Sequence, residues 1–135
     1  MKILLDTNVL IAAFIARGFC HELLEHCIRQ HSLVTSTLVI NEFREKLTDK
    51  FKRDAEDVEQ AASILLSKMT EVTPADFGES VCRDPDDDKI LATVVAGNCE
   101  CIITGDKDLL VLKQYAGIDI LNPSDFPDYE EARGK

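Results

Sequence analysis

Lys2-Ile3-Leu4-Leu5-Asp6-Thr7-Asn8-Val9-Leu10-Ile11 decides how the chain folds. Lys2–Leu5 is a short apolar run without alternation, the pattern of a strand buried on both faces, as parallel sheets require. Asp6 ends it, and helical periodicity begins over Val9–Ala16. The same strand-then-helix grammar continues outward. His21–Arg29 reads as a helix set off by Gly18, and Ser32–Thr35 as a second strand. Thr37–Phe51 and Ala55–Met69 read as amphipathic helices, and Glu71–Thr73 as a short strand stopped by Pro74. The turn Asp84-Pro85-Asp86-Asp87-Asp88 feeds a helix from about Asp87 to Ala96, with Asp86 the expected cap and Gly97-Asn98 the stop. Glu100–Thr104 is an expected strand, Leu109–Gln114 a helix and Ile118–Leu121 a last strand. From about Asp125 the polar tail is expected to fray. Strands alternating with helices give an α/β fold around a mainly parallel sheet. With 135 residues and no repeat or linker, residues 1–135 read as one domain.

Hydrophobic residues make up 45% of the chain, too many for disorder. No apolar run approaches the roughly 20 residues that span a bilayer. Asp6 interrupts the N-terminal stretch too early for a signal peptide. The expectation is a cytoplasmic protein with no membrane partner. The five cysteines (Cys20, Cys27, Cys82, Cys99 and Cys101) fit reduced, buried thiols, not a disulfide framework. A zinc site pairing Cys99 and Cys101 with His21 or His26 is conceivable, but the one-residue cysteine spacing is unusual for zinc. The net charge of −10 is uneven. Residues 1–75 hold nine Lys/Arg against eleven Asp/Glu, and residues 76–135 hold six against fourteen. Such acidity sits awkwardly with phosphate binding, except where Arg44, Lys46, Lys50, Lys52 and Arg53 cluster.

Four acids far apart in sequence fall where a sheet would gather them: Asp6, Glu42, Asp88 and Asp106. Ligands of open α/β sheets sit beyond the carboxyl ends of the strands, where Asp6 and Asp106 lie. Asp88 falls in the first turn of a helix, where the backbone dipole favours an anion. Converging carboxylates repel and lose hydration. Hard divalent cations such as Mg²⁺ or Mn²⁺ relieve that cost through oxygen ligands. Each acid also has a plain reading. Asp6 serves equally as an N-cap, and Asp88 as one of several acids in a solvated turn. Of Asp106 and Asp108, one can bind metal while the other caps; Asp106 is the chosen ligand and Asp108 the secondary one. Glu42 pairs with Lys46 at i, i+4 like any surface helix. Yet Glu42, Lys46, Lys50 and Arg53 share a helix face, which suits a metal site beside a phosphate track. Asn8 is placed to orient the ligands.

Together, Asp6-Thr7-Asn8-Val9-Leu10, Asn41-Glu42, Asp84 to Ala92, Ile103-Thr104-Gly105-Asp106-Lys107-Asp108-Leu109-Leu110 and the ending Ile118 to Phe126 resemble the PIN-domain ribonucleases, especially their toxin-type members. The resemblance spans nearly the whole chain. It implies a three-layer α/β/α domain and Mg²⁺- or Mn²⁺-dependent cleavage of RNA, leaving a 5′-phosphate. It also implies Asp6, Glu42, Asp88 and Asp106 at the acidic positions, with Thr104 as the small hydroxyl residue and Asn8 as the polar neighbour. Lys46, Lys50 and Arg53 are then candidates to guide the RNA backbone. An antitoxin partner and a homodimer are further implications.

Two other classes compete. A metal-dependent phosphatase would want Asp-x-Asp after the first strand, where this chain has Asp6-Thr7-Asn8. A phospho-accepting receiver would want paired acids there, and Asp6 stands alone. The third reading is a non-catalytic interaction module. Neither a P-loop nor a Gly-x-Ser-x-Gly elbow occurs.

Overall fold

A computed structural model describes residues 1–75 and 84–133. Cys82 lies outside the described residues. Six strands, β1 (Lys2–Leu5), β2 (Ser32–Thr35), β3 (Thr70–Glu71), β4 (Cys101–Ile103), β5 (Gln114–Tyr115) and β6 (Ile118–Leu121), form one sheet in the order β3-β2-β1-β4-β6-β5. All neighbours run parallel except β5, which is antiparallel to β6. Ile3, Leu4, Ile102 and Ile103 on the two central strands are completely buried. That is why those segments read as unbroken apolar runs and not as alternating ones. The helices α1 (Thr7–Ile15), α2 (Phe19–Gln30), α3 (Thr37–Asp49), α4 (Ala55–Ser67), α5 (Pro85–Ala96), α6 (Lys107–Leu110) and α7 (Phe126–Arg133) complete a three-layer α/β/α arrangement. Among the described residues, no single helix is long and apolar enough to cross a membrane.

The order of the strands reverses at the centre of the sheet. From β1 the chain winds to β2 and β3 on one side; from β4 it winds to β6 and β5 on the other. The carboxyl ends of β1 and β4 therefore diverge into opposite connections. Such a reversal opens a crevice at the sheet edge where ligands of α/β proteins bind. Leu5 is in register with Ile103, so Asp6 and Thr104 leave the sheet side by side. The Asp6 amide donates to the Ile103 carbonyl at 3.0 Å.

The helices beside this crevice are tied together by buried hydroxyls. Ser36 caps α3, accepting from the Val39 amide. Its Oγ lies 2.8 Å from Thr93 Oγ1, which itself donates to the Lys89 carbonyl on α5. At the other end of α5 the backbone turns tightly. A Cβ on Gly97 would sit 2.6 Å from Val34 Cγ1, so the glycine is there for close packing on β2. The left-handed backbone at this stop belongs to Asn98, with φ 52°.

Three expectations need correction. The helix expected over Leu109–Gln114 ends at Leu110. Lys113 and Ala116 adopt positive φ, and Gln114–Tyr115 folds back on β6. The cap of α5 is Asp84, not Asp86: the Asp84 carboxylate accepts from the Asp86 amide at 2.9 Å. The tail does not fray but forms α7. Phe126 is 1% exposed and anchors it in the core. Tyr129 donates from its hydroxyl to Asp119 at 2.7 Å, and Arg133 contacts Glu100. Glu130 meets both His26 and His31. A polar composition concealed one buried aromatic and three side-chain fasteners, and these supply the stability that propensity does not.

Cys27, Cys99 and Cys101 are buried free thiols. Burial pushes them up to about 12, 11 and 12 respectively, leaving little thiolate at neutral pH. Among the described residues, neither Cys99 nor Cys101 joins a histidine in a ligand cluster. The cysteine-based zinc reading is not supported.

Candidate active site

Outside the reversal lies a small hollow lined by Asp6, Asn8, Glu42, Lys46, Asp84, Asp86, Asp87, Ile90 and Asp106. Its volume is about 50 Å³. A site needs at least about 10–15 Å³ of such space to admit one water, so the hollow has room for an ion with a few waters.

Asp6 comes from the end of β1 and is 5% exposed. One of its oxygens caps α1, accepting from the Thr7 amide at 2.6 Å; the other accepts from the Thr104 hydroxyl at 2.6 Å. The cap reading therefore holds, and the same carboxylate also lines the hollow. Burial raises its pKa. The Thr104 and Thr7 hydrogen bonds work against that rise, and the nearby charges of Glu42 and Asp106 add to it. Thr104 is completely buried and has a second contact: its oxygen accepts from the Asp106 amide at 3.0 Å. One hydroxyl thus sets the spacing between the two strand-end acids. Asp106 in turn caps α6 through the Asp108 amide at 2.8 Å.

Asp87, in the first turn of α5, is 4% exposed. Burial, a hydrogen bond shared with Asp106, and the charges of Asp106, Asp84 and Asp6 push its pKa up to about 7. Its Oδ2 is buried and, among the described residues, has no hydrogen-bond partner. A buried carboxylate oxygen left unsatisfied among other acids is expensive. The donor set is all oxygen and all anionic, which is the chemistry a hard divalent cation takes. Carboxylate atoms of Asp87, Asp106 and Asp108 lie within 4.8 Å of one another, close enough to hold one ion.

On α3, Glu42 faces the hollow and lies 3.6 Å from Lys46 Nζ. Lys46 also donates to Asn8 Oδ1 at 3.1 Å, so the three form one rim. Lys50 and Arg53 do not line the hollow. Lys50 Nζ sits 5.9 Å from the Phe51 ring, and the Arg53 guanidinium 6.0 Å from the Phe14 ring.

The structure thus brings Asp6, Glu42 and Asp106 together with Asn8, Lys46 and Thr104, but the buried α5 acid lining the hollow is Asp87, where the sequence pointed to Asp88. Asp88 is half-buried and does not line it. The signal for Asp87 was present. It stands three, four and seven residues before Ile90, Leu91 and Val94, all buried on the inward stripe of α5. Asp84 and Asp86, also lining the hollow, were read only as turn and cap residues.

A parallel sheet reversing between β1 and β4, with carboxylates gathered outside the reversal, defines an α/β domain with an acidic, cation-seeking end. The chain belongs to the PIN domain family, whose pattern matches residues 2–108. It is 32% identical over 119 residues to the uncharacterized protein MJ1680 of Methanocaldococcus jannaschii, an alignment covering 84% of this chain and 76% of that one. Among solved structures, the fold is similar to VapBC2 from Rickettsia felis bound to a DNA fragment from its promoter. That match has a TM-score of 0.65 and 16% identity, and covers 90% of this chain and 98% of the other. It is also similar to Mycobacterium tuberculosis VapC20, a sarcin-ricin loop cleaving toxin, with a TM-score of 0.55, 14% identity, and coverage of 87% and 98%. At these identities the likeness is one of fold.

Proposed function

We propose that the chain is a metal-dependent endoribonuclease, comprising one PIN domain over residues 1–135, with the acidic hollow as its active centre. The observation that carries this reading is the orphaned, buried Asp87 Oδ2 among Asp6, Glu42 and Asp106. Those four residues would hold Mg²⁺ or Mn²⁺, with Asp108 within reach of the same ion. When bound, such an ion supplies an activated water and neutralises charge on a phosphodiester. The chain's own residues do the positioning. Thr104 donates to Asp6 and spaces it from Asp106. Asn8 orients Lys46 beside Glu42, so a cation stands at the rim where a phosphate arrives. Lys50 and Arg53 would contact the RNA backbone just past the end of α3. Cleavage would leave a 5′-phosphate.

The resemblance to toxin-type PIN proteins and the fold shared with VapBC2 and VapC20 support a toxin role, with an antitoxin as partner. A partner arginine reaching the hollow would meet several carboxylates in charge-assisted hydrogen bonds. A homodimer and a cytoplasmic location belong to the same reading.

The test compares Asp6→Asn, Asp87→Asn and Asp88→Asn for Mn²⁺ binding by calorimetry and for cleavage of end-labelled RNA. Asp6→Asn and Asp87→Asn should lose both activities, while Asp88→Asn keeps them. Loss in Asp88→Asn with Asp87→Asn intact would overturn the assignment of Asp87. No Mn²⁺ uptake and no cleavage by the folded wild type would overturn the nuclease.

A further inference from the structure

A second cluster of ligand-type side chains lies at the opposite end of the sheet. His26 is on α2, His31 is the residue closing α2 before β2, and Glu130 is on α7. His26 Nε2 is 2.7 Å from Glu130 Oε2, and His31 Nε2 contacts the same oxygen. All three donor atoms lie within 4.8 Å of one another. His31 precedes β2, whereas Asp6 follows β1. Four strand residues at about 3.3 Å each separate the two ends, so the clusters cannot share an ion.

We propose that His26, His31 and Glu130 form a site for a borderline transition-metal ion, Zn²⁺ foremost, that fastens α7 to α2. Three features carry this. First, the donor set is two imidazoles and a carboxylate, which suits zinc and neighbouring transition metals; the all-oxygen hollow suits Mg²⁺ and Mn²⁺. Second, the geometry needs little change. Donors about 2.0–2.2 Å from a tetrahedral zinc are roughly 3.3–3.6 Å apart, so each histidine must move from Glu130 by only about 1 Å. Third, the rings are held in place. His31 packs edge-on against Phe126, with centroids 5.9 Å apart at 88°, and His26 packs edge-on against His31 at 5.9 Å and 71°. The His31 side chain is 11% exposed, but His26 is 39% and Glu130 28%, so an ion can enter and a water can complete its shell. The hollows on either side of Glu130 provide that approach. The competing state is a hydrogen-bonded clasp in which both imidazoles donate to Glu130.

The experiment adds Zn²⁺ to the full chain in excess Mg²⁺, supplied as a competitor for the acidic hollow, and reads the histidine Cε1–H resonances. His21 is the internal reference, since its Nδ1 lies 3.2 Å from the Ala13 carbonyl and outside the cluster. The expected result is that the His26 and His31 signals move together and saturate at one Zn²⁺ per chain, while His21 stays. Zn²⁺ should also raise the melting temperature of the wild type. Glu130→Gln and His26→Gln should lose affinity by more than the roughly 10–100-fold that loss of an outer-shell partner costs, and their melting points should not respond to Zn²⁺. Unmoved His26 and His31 resonances in the wild type overturn the proposal, as does unchanged Zn²⁺ affinity in folded Glu130→Gln. Neither readout depends on RNA cleavage, so the nuclease reading stands or falls separately.

Discussion

Asp87→Asn should stabilise the metal-free protein. Asp87 rises from the ordinary 3.8 to about 7, chiefly through burial and then through the hydrogen bond with Asp106. At about 1.4 kcal/mol for each pH unit, ionising it inside the fold costs at most about 4 kcal/mol. The proton is shared with Asp106, so part of that belongs to the pair, and about 2 kcal/mol is a fair share for Asp87 alone. The sign follows from proton counting. Between the unfolded and folded values the native state binds the extra proton, so metal-free wild type loses stability as pH rises from 3.8 to about 7. Asparagine keeps the shape without the charge. Its advantage should be largest near pH 8, shrink as pH falls towards about 4, and raise the melting temperature by roughly 6–10 °C at its maximum. Urea denaturation and calorimetry with a chelator, run as a pH series, measure this. Mn²⁺ at about 100 times its Kd adds about 2.7 kcal/mol to the wild type and cancels the variant's lead. A variant less stable than wild type near pH 8 without metal, or a gain constant across the series, would refute the reasoning.

Thr104→Val should remove the one side-chain hydroxyl that, among the described residues, donates to buried Asp6, costing about 1–3 kcal/mol in urea denaturation and weakening Mn²⁺ binding. Gly97→Ala should push α5 off Val34 and cost about 1–3 kcal/mol, with the unfolding slope unchanged. Phe126→Ala should cost about 3–5 kcal/mol and increase protease cleavage within α7, because the helix loses its one fully buried side chain.

Where the core dictated the pattern, the chain was easy to read. Ile3 to Leu5 and Ile102-Ile103 are apolar because both faces of their strands are covered, and that alone places Asp6 and Asp106 at strand ends. Helix phase was harder. Four aspartates within five residues offer little contrast, and only the stripe Ile90, Leu91 and Val94 tells Asp87 from Asp88. Lys50 and Arg53 share a helix face with Glu42 in projection, yet the end of α3 carries them to Phe51 and Phe14, away from the hollow. The terminal helix was hidden for a different reason. Its stability rests in part on His26 and His31, 104 and 99 positions from Glu130, which no local window contains.

The hydroxyl of Thr104 touches a carboxylate 98 positions earlier in the chain. Until residue 106 has been made, Thr104 and the two strand-end acids Asp6 and Asp106 are not all present. A growing polypeptide on the ribosome therefore carries Asp6 through the making of residues 7–105 without its strand-end partner. Whatever chemistry the hollow performs, it waits for the segment that follows β4.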